Sequence, residues 1–254
     1  MRPSSYSSRM AIMIELAGVS IRIALRLPNT KKYFEGYIIN DDCEGWDIRV
    51  EDRDPERYPL VCPSGRLDPY SEAYLLMART SAFLLKFQRT LIHGVSLIWH
   101  DRAWLITAPS GTGKTTQLRH WQRLWPEEIA LINGDKSVLA LHEDGTLWLH
   151  PSPWTGKEKD AGDACAPLAG IIVLEQAGHN NIRRIPARES VLRIFQQFLV
   201  ADLTAKELQE AAKLESKLID TIPIWLLKNL GDEASARLTR DTIMKYAAEN
   251  HEPV

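Results

Sequence analysis

The stretch Ala103-Trp104-Leu105-Ile106-Thr107-Ala108-Pro109-Ser110-Gly111-Thr112-Gly113-Lys114-Thr115-Thr116 decides how this chain reads. Ala103–Thr107 is apolar and strand-like, and it runs directly into a loop holding two glycines, a lysine and two threonines. Thr115–Leu124 then has helical spacing and must stop by Pro126. Strand, glycine loop and helix, in that order, are the context that makes Gly-x-Gly-Lys-Thr a phosphate-binding P-loop. Glycines at 111 and 113 let the backbone turn tightly, so that successive N–H groups and the helix N-terminus face an anion. The expected nucleotide-binding residues are Ser110, Gly111, Thr112, Gly113, Lys114, Thr115 and Thr116. Lys114 would meet the β- and γ-phosphates, and the Thr115 hydroxyl would meet Mg²⁺. Ala108 stands where the usual pattern has its first glycine, a small replacement that leaves the rest of the order intact.

Working outward, Ile129–Ile132 reads as a buried strand, and Asn133-Gly134-Asp135 follows it. Asp135 thus falls just past a strand's carboxyl end, where a carboxylate can share the Mg²⁺ held by Thr115. The plainer reading is an Asp in a strand-ending turn. Gly94–Trp99 and Ala103–Thr107 flank His100-Asp101-Arg102 as a hairpin; Val138–His142 and Thr146–His150 flank Glu143-Asp144-Gly145 as another. Gly170–Leu174 and Ile222–Leu227 are apolar strands, and Glu189–Val200, Thr204–Ile219 and Asp232–Ala248 have helical spacing. Hairpins among flanking helices imply an α/β fold with a mixed sheet. Ile12–Leu16, Val19–Leu27, Tyr37–Ile39 and Asp47–Glu51 read as strands. A loop rich in proline and glycine, Pro59 to Pro69, leads to a helix from Ser71 to about Phe87. The expected division is an N-terminal α+β region over 1–86, packed on a nucleotide-binding domain over 87–254.

The 254 residues carry 31 Lys+Arg against 33 Asp+Glu, a net charge of −2, which argues against an extended nucleic-acid face. Cys43, Cys62 and Cys165 form no disulfide framework and no zinc pattern. Glu15, Arg22 and Arg26 interrupt the first apolar stretch, so neither a signal peptide nor a membrane span is expected, and a cytoplasmic location is. The first nine residues and Asn250–Val254 read as frayed ends. Most of the eight tryptophans should pack in the core; Trp154 is the exception, because its loop neighbours the expected site.

The chain resembles the bacterial HPr kinase/phosphorylase group, which shares its nucleotide fold with phosphoenolpyruvate carboxykinases. The resemblance rests on Arg89-Thr90-Leu91-Ile92-His93-Gly94-Val95, on Leu105–Thr115 and on Leu131–Asp135. It implies a mixed β-sheet P-loop core of that type with flanking helices, attached to a strand-rich N-terminal region. It matches Lys114 and Thr115 to the phosphate lysine and the metal hydroxyl. It matches Asp135 to the second acid of an Asp-Asp pair, whose first position is Gly134 here. His93 matches a histidine near the transferred phosphoryl group, and Lys157, in Pro151-Ser152-Pro153-Trp154-Thr155-Gly156-Lys157, would meet the phosphates from the other side. The expected catalytic residues are therefore His93, Asp135 and Lys157, and the expected metal residues Thr115 and Asp135.

The implied activity is transfer of the γ-phosphoryl group of ATP, with Mg²⁺, to a hydroxyl. A serine of a small protein or peptide is the expected acceptor, and a precursor peptide of the kind that tailoring relatives modify is one form of it. A small-molecule hydroxyl and a non-catalytic nucleotide-binding regulator are the alternatives, and relatives of the group are commonly homo-oligomers. Arg183, Arg184 and Arg188 are either a second anion site or a solvated helix entrance, with Glu175 and Gln176 directed to the same region.

Overall fold

β1 (Met10–Leu16) and β2 (Val19–Leu25) form an antiparallel hairpin that sets Ile12 opposite Ile23, Ile14 opposite Ile21 and Leu16 opposite Val19. All six side chains are buried, so the period-two alternation of the sequence becomes one covered face. The turn needs left-handed backbone at Ala17 and Gly18 (φ 49° and 76°). β3 (Ile38–Ile39) joins β1, and β4 (Ile48–Arg49) runs parallel to β2, giving the order β3-β1-β2-β4. The expected strand at Tyr37–Ile39 is shorter than its reading, because a 3-10 turn takes Glu35–Tyr37. The structure, a computed structural model, describes residues 10–40, 45, 47–156 and 160–250, the last without its side chain. The expected frayed segment 1–9, Cys43, Trp46 and Lys157 lie outside the described residues.

A short helix α1 (Asp54–Arg57) interrupts the charged loop, and α2 (Pro69–Leu84) follows. The α2 helix begins two residues earlier than its periodicity suggests: the Asp68 carboxylate accepts from the Tyr70 and Ser71 N–H groups, and Pro69 fits the first turn. Glu72 on α2 is fully buried, yet it accepts from Arg26 N–H (2.6 Å), Leu27 N–H (3.0 Å) and the Thr30 hydroxyl (2.7 Å). That satisfied carboxylate ties the helix to the exit of β2.

The second sheet has nine strands. In chain order its elements are β5 (Arg89–His93), β6 (Val95–Trp99), β7 (Arg102–Thr107), α3 (Lys114–Leu124), β8 (Ile129–Asn133), β9 (Lys136–Leu141) and β10 (Leu147–His150). They continue with β11 (Ala166–Gln176), β12 (Asn181–Arg184), α4 (Ala187–Phe195), α5 (Ala205–Thr221), β13 (Ile224–Asn229) and α6 (Glu233–Asn250). The order β5-β9-β10-β11-β7-β6-β8 is mixed, and β13, carrying β12, joins β11. β7, β11 and β13 are parallel. Their residues alternate between two apolar layers. Ala103, Leu105, Ile171, Val173, Ile224 and Leu226 pack with residues of α4 and α5. Trp104, Ile106, Ile172, Leu174, Trp225 and Leu227 pack with residues of α3 and α6. Strands covered on both faces read as continuous apolar runs, as these do.

A third apolar cluster joins β1, β2 and α2 to Leu91, Val138 and Trp154 of the second sheet's half. The chain is a mixed α/β protein with mixed sheets and flanking helices. Among the described residues no helix is long and apolar enough to cross a membrane.

Glu215 is a buried exception on the inner face of α5, beside Ala211, Leu214 and Leu218, and its Oε1 has no partner among the described residues. Burial pushes its carboxyl up to about 7, against the lowering effect of a backbone hydrogen bond from Phe195. Because the folded pKa is raised, the contribution to stability is full below about 4.5 and is lost as pH rises through 7. Glu215→Gln should therefore raise Tm by ~4 °C at pH 8 and leave it unchanged at pH 4. Thermal unfolding at the two pH values checks this.

Candidate active site

The glycine loop leaves the carboxyl end of β7, at the edge where β11 and β13 also end. Ligands of open α/β sheets bind outside such ends. Gly111 and Gly113 have φ of 82° and 109°, and no heavy atom lies within 4 Å of where their Cβ atoms would stand. The loop thus opens onto free space that an anion can fill. Gln176, at the end of β11, donates from Nε2 to the Gly111 carbonyl (3.4 Å). Lys114 begins α3 and is buried, with its Nζ donating to the Ala108 (2.9 Å) and Pro109 (3.2 Å) carbonyls. Burial lowers its pKa, the Asp135 carboxylate raises it in part, and the Lys136 ammonium lowers it again. Lys114 thus senses the charges of Asp135 and Lys136.

The chain folds His93 onto Asp135 through its backbone. β5 and β9 are antiparallel neighbours with His93 opposite Lys136, and the Gly94 N–H donates to the Asp135 carbonyl (2.8 Å). Asn133 shapes the turn: its Oδ1 accepts from the Asp135 and Lys136 N–H groups, and its Nδ2 donates to the Ser152 carbonyl (2.9 Å). The result sets His93 Nε2 3.3 Å from Asp135 Oδ1 and the Lys136 ammonium on Oδ2. Burial pushes the Asp135 carboxyl up, but the His93 hydrogen bond and the Lys136 charge outweigh it and hold it at about 2. On the other side of the ring, His93 Nδ1 faces the Gln197 Oε1 (3.3 Å). Both ring nitrogens thus face oxygen atoms, which hold the ring in place between Asp135 and Gln197.

Gly134 is closed over by another part of the chain. Its N–H donates to the Asp160 carbonyl (2.8 Å), and a Cβ here would stand 3.0 Å from that oxygen and 3.2 Å from the Asp160 Cβ. Gly162 N–H donates to the Ile132 carbonyl (3.1 Å), so residues 160–162 line the end of β8. A side chain at position 134 therefore requires the segment at Asp160 to give by a few tenths of an ångström. The loop Pro151–Gly156 lies beside it: a Cβ on Gly156 (φ 76°) would stand 2.8 Å from Asp135 Oδ2.

Of the residues expected from sequence, the fold brings His93 and Asp135 into contact, couples Lys114 to them, and holds Ser110–Thr116 on the loop and the first turn of α3. Arg183, Arg184 and Arg188 are exposed, on β12 and the first turn of α4. Arg183 forms a paired contact with Glu189 (3.0 and 2.6 Å), and Arg184 lies over the Tyr246 ring and bonds its hydroxyl. Glu175 faces Arg193 and Lys228, both at 3.7 Å. Lys136 and Gln197 carry no motif of their own in the sequence. Lys136 follows Asp135 directly, a clue that reading the motif one residue further would have used; Gln197 is 104 residues from His93 and had no local signal. Among the described residues no group of three or more His, Cys, Asp or Glu side chains is set to hold a metal.

No family model matches the chain, and no curated protein sequence matches it. Among solved structures it is similar to the Hpr(Ser) kinase/phosphatase from Coxiella burnetii, at 15% identity. That match covers 64% of this chain and 97% of the other, with a TM-score of 0.35, a distant likeness of fold at most.

Proposed function

We propose that the chain is an ATP- and Mg²⁺-dependent phosphotransferase with a P-loop core, which moves the γ-phosphoryl group to a hydroxyl, a serine of a small protein or peptide. One observation carries the reading: an open glycine loop with a buried lysine lies at the carboxyl end of β7, and the His93–Asp135–Lys136 group is assembled next to β7 and β6 in the same sheet, with the Thr107 hydroxyl donating to the His93 carbonyl (2.5 Å). Phosphoryl transfer asks a protein for positioning and for positive charge around the phosphoryl oxygens more than for covalent chemistry. Lys114 and Lys136 supply ammonium groups, and the His93 ring is held beside them between Asp135 and Gln197. Gln176 steadies the loop at Gly111.

The donor set fits Mg²⁺, a hard cation that takes oxygen ligands. Thr115 and Asp135 would hold it, and a cationic group, the Lys136 ammonium, already rests on the Asp135 carboxylate. When bound, the ion neutralises phosphate charge. A carboxylate that stays ionised down to about pH 2 serves that purpose through the whole working range. Lys157 keeps its proposed role at the phosphates; the neighbouring Gly156 brings the backbone against Asp135.

Gly156→Ala sharpens the geometry. The new methyl meets the Asp135 side chain and occupies a left-handed backbone position, so either the loop or the carboxylate must move. Turnover should fall by ~10²-fold, because misplacement of about 1 Å has that cost, while Mg-ATP affinity stays within ~3-fold. Calorimetric titration of wild type and variant with Mg-ATP, beside a turnover assay, checks both halves. The same titration tests the proposal itself: submillimolar, Mg²⁺-dependent binding of ATP is expected, and absence of binding sinks it.

A further inference from the structure

The loop that meets Asp135 is held from two sides. On the side of the nine-stranded sheet, Asn133 donates to the Ser152 carbonyl, and the Ser152 hydroxyl donates to the Lys136 carbonyl (2.6 Å). On the other side, Trp154 is 7% exposed and reaches into the N-terminal layer. Its indole N–H donates to the Ala73 carbonyl on α2 (2.9 Å). Its ring meets Phe34 edge to face, centroids 5.7 Å apart and planes at 89°. Phe34 is fully buried between the two 3-10 turns that follow β2. Two residues beyond Trp154, Gly156 lies against the Asp135 carboxylate.

We infer that Trp154 is a positioning residue through which the N-terminal layer sets the loop 151–156 over Asp135, so that residues before β5 form part of the frame of the active site. The inference rests on the phosphotransferase reading for its kinetic consequence alone. Contacts of this kind explain why an indole stands here. A smaller apolar side chain would fill part of the space but could not both bond a helix carbonyl and press an aromatic edge. They also assign a task to Phe34 and Ala73, which lie 120 and 81 positions from Trp154 in sequence.

The test uses the full chain with Trp154→Phe, which keeps a ring and removes the N–H donor, and Phe34→Leu, which changes the strut from its far end. Turnover of γ-labelled Mg-ATP is measured with water or a serine-containing peptide as acceptor, and amide hydrogen exchange is followed at residues 151–156 and 133–136. The expected result is a ~10-fold loss of kcat in both variants, with KM for Mg-ATP changed less than ~2-fold, and faster exchange in the two segments. Exchange in α3 and in β1–β2 should stay at the wild-type rate. A purely packing role would lower Tm and leave kcat of the folded protein unchanged. Wild-type kcat in both variants, or unchanged exchange at 151–156, overturns the inference. An inactive wild type overturns the phosphotransferase reading instead, and the exchange arm still decides on Trp154.

Discussion

Lys114→Met is expected to lower turnover of Mg-ATP by about 10³-fold, the upper range for removing one preorganised charge donor from a site where charge develops. The ammonium is buried and held by two carbonyls of its own loop, so in the free protein it keeps the loop curled around the position an anion would take. Methionine retains the apolar stem beside α3 and removes only the charge and the donor. The Ala108 and Pro109 carbonyls then lose their partner, at a cost of ~1 kcal/mol for each bond. The variant should remain folded, with a modest loss of Tm, and its affinity for Mg-ATP should fall along with kcat. Calorimetric titration together with a turnover assay reads both. Undiminished turnover in a folded Lys114→Met protein would remove the glycine loop from the mechanism.

Asp135→Asn is the second large effect, a loss of ~10²- to 10³-fold with a rise of at least ~10-fold in the Mg²⁺ concentration that gives half-maximal rate. The substitution keeps the shape of the side chain and its neighbours but withdraws the negative charge that His93 and Lys136 hold. The pH dependence separates this residue from others. Its carboxyl sits at about 2 in the folded chain, below the ordinary value of 3.8. Its contribution to stability is thus present above pH 3.8 and disappears as pH falls through 2. No limb of a rate profile between pH 4 and 8 belongs to Asp135. A wild-type profile with such a limb, carried over unchanged into the Asn variant, assigns that limb to a different group. Equal Mg²⁺ dependence in the two proteins would take Asp135 out of the metal site.

The glycine loop was legible because everything it needs is local: an apolar strand before it, a helix after it, and glycines where the backbone turns left-handed. The central strands were legible for a related reason, since β7 and β13 alternate between two apolar layers and leave no polar face to interrupt the run. The apolar run Gly170–Leu174 is only the centre of β11, which extends over Ala166–Gln176 because its first residues pair with β10 and its last with β13, partners that no window of the sequence contains. β12, Asn-Ile-Arg-Arg, is a polar edge strand visible only through its pairing with β13. The helix expected at Glu189–Val200 stops at Phe195. The chain turns there so that Phe198 can bridge to Ile92 and Gln197 can face His93.

In the candidate site, the residues that the sequence names are those with a local motif, and those delivered by the fold carry none. Lys136, Gln197 and the segment at Asp160 that closes over Gly134 come from strand pairing and loop packing. Arg183, Arg184 and Arg188 read from sequence equally as an anion site or a solvated helix entrance, and the fold pairs Arg183 with Glu189 and lays Arg184 over Tyr246. Proximity along the chain does not decide which charges remain available. Trp154 was marked from sequence by its neighbourhood, but its partners at Phe34 and Ala73 become visible only when the N-terminal sheet and α2 are folded against the loop.

Movement of the terminal phosphoryl group of a nucleotide at this site is read by one paired labelling experiment. Wild-type protein and Lys114→Met are incubated with Mg-ATP labelled on either the α- or the γ-phosphate, with serine-containing peptides present. Label from the γ-position is expected to move to a peptide serine in the wild type, α-label to stay with the nucleotide, and neither to move in the variant. Retention of the γ-label on ATP by a wild-type protein that binds the nucleotide would contradict that transfer and make the chain a nucleotide-binding regulator.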